Sequence, residues 1–246
     1  MKYSNRTVLI TGGATGIGLA LAKRFITAGN KVIICGRREE RLQAARADDA
    51  RMITFACDLS VEEERLRLFD YVKLCHPDVD VLVNNAGIQN RPPSLIDGQD
   101  WAAHRREIAT NLEAPMHLSM LFIKLLMSKP AASIINVSSG LAFAPLAFMS
   151  TYCATKAALH SFSLSLRHQL RDTHIEVIEV IPPKVNTDLG GPGLHDDGAP
   201  LDDFADHAWR ELCAGKIEFG FGFSERNRLA SRETLDNVFA ALNGTK

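Results

Sequence analysis

The chain has 246 residues, 46% of them hydrophobic and 23% charged, with a formal net charge of −1 at pH 7. Such a composition supplies a substantial core and argues against disorder. It gives no reason to expect nucleic acid or another polyanion as a partner, although a local basic patch stays open. No run approaches the ~18 uninterrupted apolar residues of a membrane-spanning helix, and the opening residues 1–6 lead into a strand-like segment with no signal-type apolar region. A soluble cytoplasmic protein with no membrane partner is expected.

In chain order, apolar runs suited to buried strands alternate with amphipathic segments, the pattern of a parallel sheet joined by crossover helices. Strands are predicted at residues 7–11, 31–35, 52–57, 79–83, 133–137 and 175–181. Helices are predicted at 17–28, from about 38, after a cap and acidic first turn at Ser60, Val61, Glu62 and Glu63, at 100–127 and at 151–171. Beyond residue 181 the pattern weakens. A glycine-rich loop at 189–193 precedes a helix at 201–213, a strand at 216–223 and a last helix near 232–242. No repeat or linker interrupts the chain, so a single domain over 1–246 is expected, an α/β doubly wound, mostly parallel sheet with helices on both faces. The five cysteines (Cys35, Cys57, Cys75, Cys153, Cys213) form no CxxC pair and have no histidine at ligand spacing, so packed thiols and no metal site are expected.

The first strand ends in Thr11-Gly12-Gly13-Ala14-Thr15-Gly16-Ile17-Gly18, directly before a helix. Glycines there let the backbone turn tightly and approach a pyrophosphate, which the helix N-terminus favours. Dinucleotide sites that prefer NAD carry an acid at the end of the second strand; here Cys35-Gly36-Arg37-Arg38 stands instead. Guanidinium groups suit a 2′-phosphate, and the positive end of a helix dipole is a poor place for arginines without such a partner. NADP(H) is therefore preferred over NAD(H), with Arg37 ahead of Arg38, against the alternative of two solvated arginines.

Tyr152 and Lys156 lie one helical turn apart on one face. A phenol titrates at about 10, too high for easy proton exchange at neutral pH. An ammonium about 4 Å away would favour phenolate by up to about 4 kcal/mol at an effective dielectric of about 20, enough to bring a tyrosine toward general acid/base work. Alone, such a pair occurs by chance in many helices. Ser139 stands thirteen residues earlier, at the end of the fifth strand, and Asn84-Asn85-Ala86-Gly87 ends the fourth. Ligands of open α/β sheets bind at those carboxyl ends. Asn111 stands four residues before Pro115. Proline lacks an N–H, so within a helix the Asn111 carbonyl loses its partner and could hold a water that links Lys156 to solvent. A simple packing kink is the alternative.

Together these motifs, over about residues 5–188, resemble the short-chain dehydrogenase/reductase family, in its compact single-domain branch with a Rossmann-type sheet. The wording around Gly36-Arg37-Arg38 and residues 182–187 resembles a bacterial subgroup of oxidoreductases linked to teichoic-acid D-alanylation. The resemblance implies hydride transfer between nicotinamide and a carbonyl or secondary alcohol. Tyr152 would be the general acid/base, Ser139 would orient the substrate oxygen (Ser138, at a spacing of 14, being the alternative), and Lys156 would hold the nicotinamide ribose and lower the tyrosine pKa. Asn111 would complete the catalytic set. For the cofactor it implies Gly12, Thr15, Gly16, Ile17 and Gly18 at the pyrophosphate, Asp58 and Leu59 near the adenine, and Asn85, Ala86 and Gly87 along the adenosine side. Pro182, Val185 and Thr187 would lie near the nicotinamide. Helices carrying Asn111 and Tyr152 would pair subunits in a homodimer or homotetramer.

Two departures stand out. Pro183 replaces the family's usual glycine and stiffens the nicotinamide-side segment, and the usual glycine-rich ending gives way to residues 219–223. Residues 188–215 are expected to form a substrate lid hinged at Gly190, Gly191 and Gly193, and 224–246 a tail. The stretch 188–206 holds six aspartates and no lysine or arginine, which would disfavour an anionic substrate if they faced the pocket. Asp202 and Asp203 suit a helix N-terminus, the remaining acids read as solvated, and His195 reads better as an exposed loop histidine than as a substrate contact. Two other functions use the same motifs: a redox sensor that binds NADP(H) without turnover, and an epimerase or dehydratase. Intact Ser139, Tyr152 and Lys156 speak against the first, and the short stretch after residue 181 against the second.

Overall fold

A computed structural model describes residues 3–91 and 100–244; the first two residues of the N-terminal segment and the last two of the tail lie outside them. Seven strands form one parallel sheet in the order β3-β2-β1-β4-β5-β6-β7. They are β1 (Thr7–Thr11), β2 (Lys31–Gly36), β3 (Met52–Ala56), β4 (Val81–Asn84), β5 (Ala132–Val137), β6 (Ile175–Ile181) and β7 (Glu218–Gly220). Every strand pairs in parallel with its neighbours, so each return passes through a helix on one face or the other. The helices are α1 (Gly16–Thr27), α2 (Glu39–Asp48), α3 (Glu62–Cys75), α4 (Trp101–Ile108), α5 (Ala114–Met127), α6 (Ser150–Gln169), α7 (Leu201–Cys213), α8 (Phe223–Arg228) and α9 (Arg232–Asn243).

Strand alternation divides the core between two layers. Val8 and Ile10 of β1 pack with Leu21, Phe25, Phe204 and Leu212 on the α1 and α7 side. Leu9, between them, faces Leu68, Leu118, Phe122 and Leu166 on the α3, α5 and α6 side. Each such side chain contributes about 1.5–3 kcal/mol on burial. Phe25 and Trp209 meet edge to face with centroids 5.0 Å apart, tying α7 to α1.

The sheet reverses its winding between β1 and β4, and their carboxyl ends open a crevice at the switch point. One side chain braces it: Thr11 Oγ1 accepts from the backbone N–H groups of Asn85 (2.9 Å) and Ala86 (3.0 Å). Asn85 Nδ2 in turn donates to the Thr11 carbonyl at 2.9 Å.

Three local expectations change. Ser60 does not cap α3. Its N–H and hydroxyl both bond Asp58 Oδ1, and Val61 stands at the helix start with no side-chain cap. The strand expected at 216–223 shortens to β7, because Phe223 already begins α8. Residues 201–213 do not belong to a free lid: Phe204, Ala205, Ala208 and Leu212 of α7 are buried in the core.

Candidate active site

The glycine turn is built as a backbone cradle. Gly12 and Gly16 have φ of 63° and 54°, the left-handed region that glycine tolerates best. A Cβ on Gly18 would stand 2.4 Å from the Gly12 carbonyl oxygen, so no larger residue fits without moving the turn. Thr15 precedes α1 without a side-chain cap, and the first turn carries no acid. The opening N–H groups of the helix are thus not claimed by a side chain, as an anion site requires. A Cβ on Gly36 would meet nothing within 4 Å, and exposed Arg37 and Arg38 stand beside that space. Arg37 forms no ion pair with the described residues, while an Arg38 N–H reaches Thr15 Oγ1 at 3.5 Å. This set fits a phosphorylated dinucleotide: helix N–H groups for a pyrophosphate and guanidinium groups beside open space.

Other expected cofactor residues fall into two groups. Gly87 joins the centre of the site, since a Cβ there would lie 3.6 Å from Asn111 Oδ1 and 3.7 Å from Lys156 Nζ. Thr187 faces the start of α1, its methyl 3.3 Å from where a Gly16 Cβ would be. Asn85, by contrast, turns its amide to Thr11 and Gly12 and shapes the glycine turn from behind. Leu59 and Val185 are buried, and Leu59 offers its carbonyl to Arg65 at 2.8 Å. Pro182 is buried and accepts from Gly140 N–H at 2.9 Å, locking the segment after β6 to the end of β5. Asp58 keeps its second carboxylate oxygen free of the Ser60 bonds.

Tyr152 and Lys156 are buried on α6, and Ser139 is buried at the end of β5. Ser139 is near enough to Tyr152 to lower the phenol pKa, and Leu141 N–H donates to Ser139 Oγ at 3.1 Å, fixing that serine. Lys156 Nζ lies 5.8 Å from the Tyr152 ring centroid and donates to the Val137 carbonyl at 2.9 Å. Ser138 points elsewhere, to Glu179 Oε1 at 2.5 Å. Of the two serines, Ser139 is the one beside the tyrosine.

Burial pushes the Tyr152 phenol above its ordinary range. The neighbouring Ser139 hydroxyl opposes this, while Cys153 and Glu107 add to it. Burial draws the Lys156 ammonium down to about 8, with Glu179 acting against the fall. The expected lowering of the phenol by Lys156 is therefore not the dominant effect in the protein alone. Desolvation is the largest influence on the phenol, and Lys156, which donates to the Val137 carbonyl, is not among the groups that shift it.

Asn111 is at the centre of a π-helical turn, Ala109–Glu113, which joins α4 to α5 just before Pro115. A wide turn at that place follows from the N–H that proline lacks. The Asn111 side chain clamps the segment after β4: Oδ1 accepts from Ile88 N–H at 2.9 Å, and Nδ2 donates to the Ile88 carbonyl at 2.8 Å. Nδ2 also reaches Thr155 Oγ1 at 3.3 Å, linking this helix to α6.

One expectation about the far wall is overturned. His195 is not an exposed loop histidine; it is 6% exposed, because the loop folds inward where Val185 bridges Ala199. Burial, then Arg91 and Lys184, push its imidazole below the ordinary value. The six aspartates of 188–206 are all exposed, and three have cationic partners: Asp197 with Lys184, and Asp202 and Asp206 with Arg24. The loop instead offers the site Leu189, which packs against Tyr152, Met149 and Cys153. Glu107 was not anticipated. It is buried and holds Asn90 N–H at 2.9 Å, and burial raises its carboxyl. An acid in a helix that otherwise reads as amphipathic gave no distinguishing signal.

A parallel doubly wound sheet with a glycine turn at its switch point, and a serine, tyrosine and lysine at the neighbouring strand end, defines a dinucleotide-dependent oxidoreductase. The short chain dehydrogenase family pattern matches residues 6–197, and the chain belongs to that family. It is 46% identical over 99% of its length, and 98% of the relative's, to the uncharacterized oxidoreductase DltE of Bacillus subtilis (strain 168). A Sphingobium yanoikuyae short-chain dehydrogenase in complex with NADPH has the same fold, with a TM-score of 0.80, 24% identity, and 96% and 93% of the two chains covered. A metagenomic short-chain oxidoreductase in complex with NADP matches with a TM-score of 0.76 and 27% identity over 90% of this chain and 97% of that one. Among the described residues no helix is long and apolar enough to cross a membrane.

Proposed function

We propose that this chain is an NADP(H)-dependent oxidoreductase acting on a carbonyl or secondary alcohol, with Tyr152 as general acid/base. The observation that carries the reading is the joint burial of Ser139, Tyr152 and Lys156, with the Lys156 ammonium 5.8 Å from the Tyr152 ring centroid. When bound, a nicotinamide dinucleotide supplies or accepts the hydride. The α1 N-terminus, Gly12, Thr15, Gly16, Ile17 and Gly18 would hold its pyrophosphate, Arg37 and Arg38 its 2′-phosphate, and Asp58, Leu59, Ala86 and Gly87 its adenosine side. Lys156, Pro182, Val185 and Thr187 would hold the nicotinamide side.

In reduction Tyr152 Oη gives its proton to the substrate oxygen, which Ser139 Oγ orients; in oxidation the same oxygen takes a proton back. Burial keeps the phenol in the protonated form that reduction uses, and at the same time makes it a weaker acid than an ordinary phenol. Lys156 supplies positive charge under the ring and steadies the developing phenolate. Asn111 holds Ile88 and Thr155 in register beside Lys156, and the π-helical turn around it provides the carbonyl for a proton-refilling water. Residues 188–199 act as the lid, with Leu189 over Tyr152. Met116, Met120 and Leu164 are exposed on α5 and α6 and suit subunit pairing in a homodimer or homotetramer.

Arg37→Ala is expected to weaken NADPH binding about 10- to 100-fold, the range of one or two charge-assisted hydrogen bonds, while NADH binding changes less than about threefold. Fluorescence titration with both cofactors measures this. Equal losses for both would remove Arg37 from the 2′-phosphate role. Stoichiometric consumption of NADPH with a panel of carbonyl compounds tests the activity itself, since neither a sensor nor an epimerase oxidises it in net terms.

A further inference from the structure

Tyr152, Lys156 and His160 recur at every fourth residue of α6 and share one face of that helix. The stripe ends on an ion pair: His160 Nδ1 lies 2.8 Å from Glu179 Oε2. The Glu179 side chain is wholly buried, whereas that of His160 is 23% exposed. Glu179 stands in β6 between Val177 and Ile181, the neighbouring positions on the same strand face, both buried and apolar. A carboxylate in such a row costs several kcal/mol unless paired and hydrogen-bonded.

Both of its oxygens are engaged toward the site. Oε2 meets His160, and Oε1 accepts from Ser138 Oγ at 2.5 Å. Ser138 lies between Val137, whose carbonyl receives the Lys156 ammonium, and Ser139, which neighbours Tyr152. One carboxylate thus fastens the strand end that positions both groups.

Resting on the proposed roles of Tyr152 and Lys156, we propose that Glu179 and His160 are positioning and charge-balancing residues for this site. Glu179 holds the end of β5 through Ser138 and supplies the negative charge that sustains the Lys156 ammonium. His160 sets how much of that charge Lys156 feels.

The surroundings agree. Glu179 is the group that opposes the fall of Lys156 on burial. His160 is raised first by its bond to Glu179, against burial, with Glu218 of β7 raising it further and Arg167 of α6 lowering it. Glu218 itself faces Arg167 and Arg228, each at 3.3 Å. The ligand atoms of His160, Glu179 and Glu218 lie within 4.8 Å of one another, but these arginines already supply cationic charge there, which favours ion pairing over a bound metal. Phe143 packs on the imidazole, with centroids 4.7 Å apart.

The signs differ between the two residues. Glu179→Gln removes the counter-charge, so the Lys156 ammonium is lost at lower pH. The alkaline limb of kcat/KM for carbonyl reduction should then move down by about one pH unit. His160→Gln keeps a donor for Oε2 but no charge, leaves Glu179 unbalanced and moves the same limb up. Glu179→Asp keeps the charge and should leave the limb in place while lowering kcat/KM through poorer positioning. The pH dependence of NADPH binding, followed by fluorescence, carries the same Lys156 limb and does not depend on turnover. NMR titration of His160 in the unsubstituted protein should give a value above the ordinary 6.5, and one below the unsubstituted protein's in Glu179→Gln. Absence of turnover in every protein, with these binding and NMR shifts intact, would sink the proposed enzymatic function and leave the charge coupling standing. A His160 titrating at its ordinary value, or binding limbs that stay fixed or move together in the two Gln variants, would overturn the coupling.

Discussion

Tyr152→Phe should lower kcat by about a thousandfold or more while NADPH binding stays within about twofold of the unsubstituted protein. The loss is that of a positioned proton donor, which contributes about 10²–10⁴ in rate, and no other described hydroxyl or acid occupies its place. Ser139 is close by but is an ordinary hydroxyl with no base of its own, and Glu107, though near, is held by Asn90. The fold should survive. Phenylalanine keeps the ring packed against Met149, Cys153 and Leu189, and the loss of one buried hydroxyl costs about 1 kcal/mol. Steady-state rates and fluorescence titration on the same preparation separate the two effects. Residual activity above about a tenth would remove Tyr152 from proton transfer.

Lys156→Met should abolish efficient turnover and yet stabilise the cofactor-free protein. Holding the ammonium in the buried site draws it from the ordinary 10.5 down to about 8, a penalty of about 3 kcal/mol at neutral pH, where the group is charged in both folded and unfolded chains. Loss of the bond to the Val137 carbonyl offsets about 1 kcal/mol, so a net gain of about 2 kcal/mol is expected. The pH dependence carries a definite sign. Between about 8 and 10.5 the unfolded chain binds the Lys156 proton and the folded one releases it, so the unsubstituted protein gains stability as pH rises through that window. The advantage of the Met variant should shrink across the same window. Urea unfolding at pH 7 and pH 10 measures it; a variant less stable at both values would contradict the assigned burial cost.

Much of the fold was legible because its signals are local. Apolar runs such as Thr7–Thr11 and Ile175–Ile181 coincide with β1 and β6, since strands buried on both faces are dominated by apolar residues, with the buried Glu179 of β6 an exception. The helix at Leu201–Cys213 was legible although the pattern weakens beyond residue 181, but its packing was not. Whether such a helix is a lid or a wall depends on Phe25 and Trp209, far apart in the chain. Pro115 announced the wide turn at Asn111, because a missing N–H acts four residues away. Ser60 misled, since a serine before acidic residues looks like a cap unless Asp58 captures it first.

The site divides the same way. Serine, tyrosine and lysine could be read from spacing because one strand end and one helix face carry them. Glu179 and His160 could not, because a lone acid in an apolar strand acquires its meaning only when α6 is laid across β6. His195 was misjudged for a related reason. Its loop composition is polar and glycine-rich, while its burial comes from the bridge between Val185 and Ala199.

The most direct test is reaction with NADPH deuterated at the transferable position, using a panel of aldehydes and ketones, with product isotope content read by mass spectrometry alongside the loss of reduced-cofactor absorbance. Hydride transfer at this site predicts one deuterium on the carbinol carbon for each NADPH consumed with the unsubstituted protein, and none above background with Tyr152→Phe. Product without deuterium, or equal incorporation by both proteins, would contradict it.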